Sequence, residues 1–406
     1  MSQQGPILVV STSGRPPFAA ALDEAGLFPV IDIDWTEAGR AIEQLRPGAV
    51  LAAMPAPDQP ALDELARQIA SREPYLPLIV VDPCGALPEN AIPFAQRPHD
   101  GRLLSRLNAA LRVRSLQGAV MRRLGVDGQM TFADVDTARD ATVLLIGRGG
   151  AYPALSVALG ERMGVVGALS IEAAAKHLNT RDVDGIVLGE GFSPRVVDAF
   201  LTVLTEDSRF RNLPVIVMGD KASACELPNL ECVAGDPDQI AAYTQPLIRQ
   251  HAFEAQLRRT LRALDADGLV DARTGLLTQT AFDRDFAIAV DQAQANGGGL
   301  SMACFAFDTE HPRAQFDGAR IVSRLMRQTD FGVARKDGSV VVVFTGTDLR
   351  NTHMIARRLS AVMRHTRHGR REDRAEPLVT VATLLPNDSA KTLLARLTDE
   401  APRAAS

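Results

Sequence analysis

Short apolar runs alternate along the chain with stretches whose apolar residues recur every three or four positions. Ile7–Ser11 (ILVVS) is β-branched, short and bounded by Gly5-Pro6, as expected of a parallel strand buried on both faces. A helical pattern follows at Phe18–Leu27, then a strand at Pro29–Ile33, a helix at Glu37–Leu45 and a strand at Ala49–Met54. Ala61–Ser71 is helical, Leu78–Val81 and Asn90–Phe94 are strands, and His99–Val113 is an amphipathic helix. Five strand–helix units in sequence predict a doubly wound sheet.

The pattern then starts again. Strands are expected at Thr142–Ile146, Val165–Leu169, Gly185–Leu188, Pro214–Met218 and Leu230–Ala234. Helices lie between them at Ala151–Met163, Ile171–Leu178 and Pro194–Thr205, and a long one begins at Gln239. Between the two copies, Leu104, Leu107, Leu111, Leu116, Val120 and Leu124 sit near helical spacing in an Arg-rich stretch, and Phe253, Leu257, Leu261 and Leu264 do so after the second. Both read as helices that leave one domain for the next and that offer a dimer seam.

The last third differs. Helices are expected at Thr280–Asn296, Gly318–Gln328, Asn351–Arg364 and Ser389–Leu397, and strands at Ser301–Phe307 and Leu378–Leu384. Phe331–Arg335 and Val340–Thr345 flank Lys336-Asp337-Gly338-Ser339, and Asp-Gly between apolar runs is a hairpin signal. The fold class is therefore α/β, two tandem doubly wound (βα)5 domains followed by an α+β domain. The boundaries are 1–115, a helical linker at 116–140, 141–250, a helical stalk at 251–268, and 269–406.

Composition narrows the function. Hydrophobic residues are 46% and charged residues 23%, enough apolar material for several ordinary cores and too much for a disordered chain. The formal net charge of −5 gives no global electrostatic case for nucleic acid. No apolar run approaches the length of a membrane-spanning helix, and no signal peptide is expected at the N-terminus. Cys84, Cys225, Cys232 and Cys304 are scattered without a CxxC pair, so neither zinc nor a disulfide framework is expected, and a reducing cytoplasm fits. The seven histidines form no HxH or HExxH spacing. Trp35 reads as packing where a strand meets a helix.

The tandem five-unit domains resemble response-regulator receiver domains. That family phosphorylates an Asp at the end of its third strand, with two acids holding Mg²⁺ after the first strand and a Lys-Pro after the fifth. Here Ser11, Thr12 and Ser13 stand where the acids belong, Ala53 stands at the acceptor, strand four ends in Asp82, and Arg97-Pro98 imitates the Lys-Pro. In the second copy the first strand runs into Ile146-Gly147-Arg148-Gly149-Gly150, Gly189 stands at the acceptor beside Glu190, strand four ends in Gly219, and Asp236-Pro237 replaces Lys-Pro. Neither copy is expected to be phosphorylated by the usual route. Glu190 reads as a solvated loop acid before it reads as a phosphate mimic, and the glycines after Ile146 as a tight turn before a phosphate cradle.

The third domain resembles a GGDEF (diguanylate cyclase) domain over Asp271–Leu397. Asp271-Ala272-Arg273-Thr274-Gly275-Leu276 echoes the entry motif D-x-L-T-G-L, with Phe282 as its later aromatic. Asp337-Gly338-Ser339-Val340-Val341 lies where G-G-D-E-F belongs, and Ala356-Arg357-Arg358-Leu359 matches the helix after it. The layout is that of PleD-type and PopA-type regulators. Val340 replaces a catalytic, metal-binding acid and cannot coordinate Mg²⁺, and Asp337 puts negative charge where phosphates would approach. Asp308 and Glu310 match the family's D-x-D. No enzyme activity, metal or required cofactor is expected.

Arg327-Gln328-Thr329-Asp330 is an R-x-x-D. The resemblance implies that Arg327 and Asp330, with Arg358 as a secondary arginine, bind cyclic di-GMP as a regulatory ligand. Arg can fork onto the guanine O6/N7 edge, and Asp can accept from N1 and N2. Gly332 reads as an insertion between this pair and the hairpin. The basic run Arg364–Arg374 reads as a solvated loop. The expected function is a non-catalytic cyclic di-GMP effector or adaptor in bacterial two-component signalling, with cell-cycle control and a cell pole as the PopA-like implication. Expected partners are the dinucleotide, signalling proteins and a second copy in a homodimer, with no DNA and no membrane insertion. The rival reading is a ligand-independent scaffold.

Overall fold

The computed structural model describes residues 5–12, 14–26, 28–54, 59–96, 101–125, 141–219, 227–307, 312–366 and 377–399. The first unit runs β1 (Ile7–Ser11), α1 (Pro17–Ala25), β2 (Val30–Asp34), α2 (Ala38–Leu45), β3 (Ala49–Ala53), α3 (Gln59–Ala70), β4 (Leu78–Val81), β5 (Ala91–Phe94) and α4 (Arg102–Leu124). Its sheet has the order β2-β1-β3-β4-β5, and every neighbouring pair is parallel. In β1, Ile7 and Val9 face one core and Leu8 and Val10 the other, and all four are fully buried. A central parallel strand is covered on both faces, so it reads as an unbroken apolar run.

Local chemistry sets the ends of several elements. Pro17 opens α1, and Gly26 closes it with a left-handed φ of +59°, which costs glycine nothing. Asp34 accepts from the Thr36 N–H at 3.0 Å and caps a short 3₁₀ turn, where Trp35 is buried. Residues 82–90 form a loop between β4 and β5, because Pro83, Gly85 and Pro88 interrupt any helical run. Among its described residues the first unit therefore has four α-helices around five strands, and β5 packs against a helix of the second unit.

The second unit repeats the architecture. It runs β6 (Thr142–Ile146), α5 (Tyr152–Gly160), β7 (Gly164–Ala168), α6 (Ile171–Thr180), β8 (Gly185–Leu188), α7 (Pro194–Glu206), β9 (Val215–Met218), β10 (Leu230–Val233) and α8 (Pro237–Leu264). The sheet order β10-β9-β8-β6-β7, again all parallel, is the first unit's order counted from the other edge. Both are the 2-1-3-4-5 order of doubly wound sheets.

The two α/β units share a core. Ile7, Val9 and Leu51 belong to the same apolar cluster as Val143, Leu145 and Ile248. Beyond the sheets, α4 and α8 pack on each other through Val113, Leu116, Val120, Phe253 and Leu257. The stripes that the sequence offers to a dimer partner thus meet each other within one chain. At the junction Arg106 and Glu231 form an ion pair at 2.8 Å with both side chains fully buried. Arg106 also donates to the carbonyls of Pro93 (3.1 Å) and Pro228 (3.2 Å), and Tyr243 Oη donates to Glu231 (3.3 Å). Burial pushes the Glu231 carboxyl up and the Arg106 guanidinium down, each opposed by the other's charge.

The third unit runs α9 (Gln279–Asn296), β11 (Leu300–Ala306), α10 (Pro312–Leu325), β12 (Phe331–Ala334), β13 (Ser339–Thr345), α11 (Leu349–Thr366), β14 (Leu378–Thr383) and α12 (Ala390–Asp399). Its sheet is antiparallel throughout, in the order β12-β13-β11-β14. From β11 to β14 this is the β-α-β-β-α-β arrangement of ferredoxin-like folds. Met302, Val341 and Val343 face one core, and Phe305, Val340 and Val342 the other. The β12–β13 hairpin turns at Gly338, with φ +86°. Gly332 causes no bulge. It pairs with Val342 in an unbroken register, and a Cβ there would meet the Val341 carbonyl at 2.7 Å. The glycine marks a close backbone approach within the strand, not an inserted loop residue.

Candidate functional site

Two places in the third unit bear on function: the hairpin and the turn that precedes β12. At the hairpin, Val340 and Val341 are fully buried in β13, and Val340 lies between Phe305 and Ala334 in the register. Asp337 closes the turn on itself, accepting from Ser339 N (3.0 Å) and Ser339 Oγ (2.5 Å). Burial opposes its charge, but these two bonds and nearby Arg335 hold its carboxyl below the ordinary value. Gln315 on α10 donates to the carbonyls of Arg335 (2.6 Å) and Ser339 (3.0 Å), fastening the hairpin to the helix. Among the described residues no group of three His, Cys, Asp or Glu could hold a metal. Asp308 and Glu310 lie outside the described residues.

The turn Arg327–Asp330 joins α10 to β12. Its chain closes tightly, with Asp330 N donating to Arg327 O at 3.1 Å. Arg327 and Gln328 are exposed, whereas Asp330 is only 5% exposed. The turn is tied to the end of β13, because Thr345 N donates to Asp330 Oδ1 and Thr345 Oγ1 to Thr329 O, both at 3.2 Å. Burial pushes the Asp330 carboxyl up to about 6, partly offset by the Thr345 N–H and by Arg327 and Arg122. A cavity of about 200 Å³ opens here, lined by Arg327, Asp330, Gly275, Arg123, Arg262 and Asp265 among others. Arg327 and Asp330 are thus brought together. Arg358 is exposed on α11 and does not line that cavity.

Sequence reasoning missed the other arginines at this turn. Arg122, near the end of α4, donates to Thr329 O at 3.1 Å and to Gln292 Oε1 at 3.0 Å. Arg123 pairs with Asp265 at 3.1 Å and with buried Asp285 of α9. Both guanidinium groups lie over the Phe331 ring, at 5.5 and 5.7 Å from its centroid. The available signal was the Arg-Arg pair at the end of the linker stretch, in register with Leu116 and Val120 but not itself apolar.

The remaining sequence signals have structural roles here. Gly275, with φ +72°, completes the turn at Asp271, where Gly275 N donates to Asp271 O at 2.7 Å and Ser323 Oγ donates to Gly275 O at 2.8 Å. In the first sheet, Ser11 Oγ donates to Gly14 O at 2.6 Å at the carboxyl end of β1, and Ala53 ends β3 beside it. In the second, Arg148 N donates to Glu190 O at 3.1 Å, so the loops after β6 and β8 interlock. A Cβ on Gly149 would meet Glu190 Cβ at 2.6 Å, which accounts for that glycine by packing. Asp236 caps α8 in a capping box with Gln239. Arg97-Pro98, Cys225 and the basic run from residue 367 onward lie outside the described residues. No described helix is long and apolar enough to cross a membrane.

No protein-family model matches the chain, and no curated protein matches it. Among solved structures it is similar to the GGDEF domain of DgcB from Caulobacter crescentus in complex with c-di-GMP, at 15% identity and a TM-score of 0.31, over 34% of this chain and 91% of that one. It is similar to a sensory box/GGDEF family protein from Caulobacter crescentus at 21% identity and a TM-score of 0.29, over 34% of this chain and 97% of that one. The FimX GGDEF domain from Pseudomonas aeruginosa shows 18% identity and a TM-score of 0.29, over 34% of this chain and 94% of that one. At TM-scores near 0.3 no conclusion about function rests on these likenesses.

Proposed function

We propose that the chain is a non-catalytic adaptor in cyclic di-GMP signalling, with receiver-like first and second units and a GGDEF-like third. The observation that carries the non-catalytic half is Val340. It is fully buried between Phe305 and Ala334 in the strand register, and the resemblance to GGDEF domains sets it where a metal-binding acid belongs. A hydrocarbon side chain gives the metal no oxygen, so the residues present do not fit it. Cyclic di-GMP binds at the turn before β12. Arg327 is exposed there and engages a guanine edge or phosphate, and Asp330 accepts from the guanine donors. The turn contacts α4 through Arg122, so a ligand there biases how the first unit sits on the third. The receiver-like faces then present surfaces to protein partners.

Calorimetric titration of the full chain with cyclic di-GMP, and with GTP plus Mg²⁺ as control, tests this. Saturable dinucleotide binding that Arg327→Ala reduces at least tenfold, with no cyclase product from GTP, is expected. Unchanged affinity in that variant sinks the site.

One observation favours a second reading, the ligand-independent scaffold. Asp330 is buried and already accepts the Thr345 N–H, so its carboxylate has to leave a partner before it can serve a ligand. A folded chain that shows no heat with the dinucleotide is this scaffold.

A further inference from the structure

The junction between the first and third units contains two adjoining cavities, of about 320 and 510 Å³, whose walls share Glu73, Pro74, Arg114, Gln292 and Asn296. We infer that this cleft, between α4 and α9, is a second ligand site that takes a phosphate-bearing nucleotide. The inference does not rest on dinucleotide binding at Arg327.

The volume is that of a small-molecule site. The charge is one-sided. Arg114 lines both cavities, Arg122 the first, and Arg46 and Arg72 the second, against Glu73, which lines both, and Asp291 in the second. Of the four arginines, Arg72 alone has a carboxylate within ion-pair distance among the described residues, Glu43 at 3.2 Å. Arg46 donates to the Ala295 carbonyl, Arg114 to the Tyr75 carbonyl at 3.2 Å, and Arg122 to Thr329 O and Gln292 Oε1. These partners satisfy N–H groups with neutral oxygens, and of the two most buried arginines only Arg122 has a carboxylate, Asp330, near enough to offset part of its burial. Arg122 is 5% exposed, and its Nε has no partner. Burial lowers both the Arg114 and Arg122 guanidiniums to about 10; Arg123 adds to the effect at Arg122 and Asp330 offsets part of it, while no carboxylate offsets it at Arg114. A buried cation without a counter-charge is costly, and a phosphate supplies that charge bidentately.

The rest of the wall suits a base. Met121, Ala293 and Leu300 are apolar, and Gln292 and Asn296 bring amide groups. Gly118 is the most telling residue. It lies inside α4, where glycine is unfavourable. A Cβ there would meet nothing closer than Arg122 Nη1 at 3.7 Å and Gln292 Oε1 at 4.0 Å, so helix packing does not demand a glycine. A large side chain at 118 would instead take the space of the cleft.

The test is calorimetric titration of the full chain with GTP, ATP, cyclic di-GMP and inorganic pyrophosphate. It is repeated on Arg114→Gln, Gly118→Leu and Arg327→Ala, with circular dichroism confirming each fold. At least one nucleotide is expected to bind, more tightly than pyrophosphate. Its affinity should fall tenfold or more in both cleft variants and stay unchanged in Arg327→Ala. If Arg114→Gln fails to fold, Gly118→Leu, which changes no charge, decides. No nucleotide binding overturns the inference, as does binding that survives Gly118→Leu or is lost only in Arg327→Ala. Pyrophosphate binding as tight as any nucleotide's overturns the assigned ligand class.

Discussion

Two junctions hold this molecule together, and they are built from opposite materials. Between the α/β units, a continuous apolar cluster surrounds one fully buried ion pair, Arg106–Glu231, whose other polar atoms bond to Pro93 O, Pro228 O and Tyr243. Between the first and third units, the buried Arg123–Asp285 pair sits beside arginines that reach across to carbonyls and amides around cavities of about 320 and 510 Å³. A sealed, dry junction makes the two α/β units one body. An open, arginine-rich junction has lower local stability, and the parts of a protein that respond to ligands are drawn from such regions. The candidate sites for regulation lie on the second junction, since the Arg327–Asp330 turn and the cleft both touch Arg122.

The comparison can be broken most forcefully at the sealed junction. Arg106→Met strands the buried Glu231 charge and should cost about 3–5 kcal/mol in chemical denaturation, while the double variant with Glu231→Leu should recover most of it. A loss under about 1 kcal/mol for the single variant would show that the pair is not sealed from water.

Asp330 gives the next largest effect. Its folded pKa, about 6, lies above the ordinary 3.8, so between those values the folded state holds the extra proton. Stability is then greatest below about pH 4, falls as pH rises through 6, and levels off, a change of roughly 3 kcal/mol. Asp330→Asn should flatten that slope in denaturation curves from pH 4 to 7.5, and an unaltered slope would assign it to another group. Arg122→Ala removes a donor to Thr329 O and should cost about 1–3 kcal/mol. Amide exchange should rise at residues 327–330 and 345 and stay unchanged at the Arg106 junction; uniform acceleration would mean that the junctions are not separable. Gly118→Ala should have the smallest effect, a stabilisation of up to about 1 kcal/mol, because its Cβ finds only ordinary contacts. Destabilisation would show that α4 and α9 need the glycine to approach.

Much of the fold was legible residue by residue. Leu78–Val81, Thr142–Ile146 and Gly185–Leu188 are strands as their apolar runs imply, because a strand buried on both faces has little freedom in its composition. Residues 82–90, where Pro83, Gly85 and Pro88 interrupt any helical run, form a loop between two strands. The sequence marks 116–140 and 251–268 as helical connectors; in the structure α4 and α8 run unbroken from their units through Leu124 and Leu264, stabilised by packing on each other. At the candidate site, Arg327 and Asp330 come from the GGDEF resemblance, whereas the burial of Asp330 and the arrival of Arg122 and Arg123 are visible only in the structure.

The sequence by itself determined that Val340 offers no metal ligand and that Gly338 turns the hairpin, since both follow from a side chain's chemistry and a residue's allowed backbone. Only the tertiary structure decided that α4, placed about 200 residues before the Arg327–Asp330 turn, supplies its arginine contacts. A pattern of polar positions shows that a helix face is charged. Which distant carbonyl or carboxylate that face meets depends on how the units dock, and no local period encodes that.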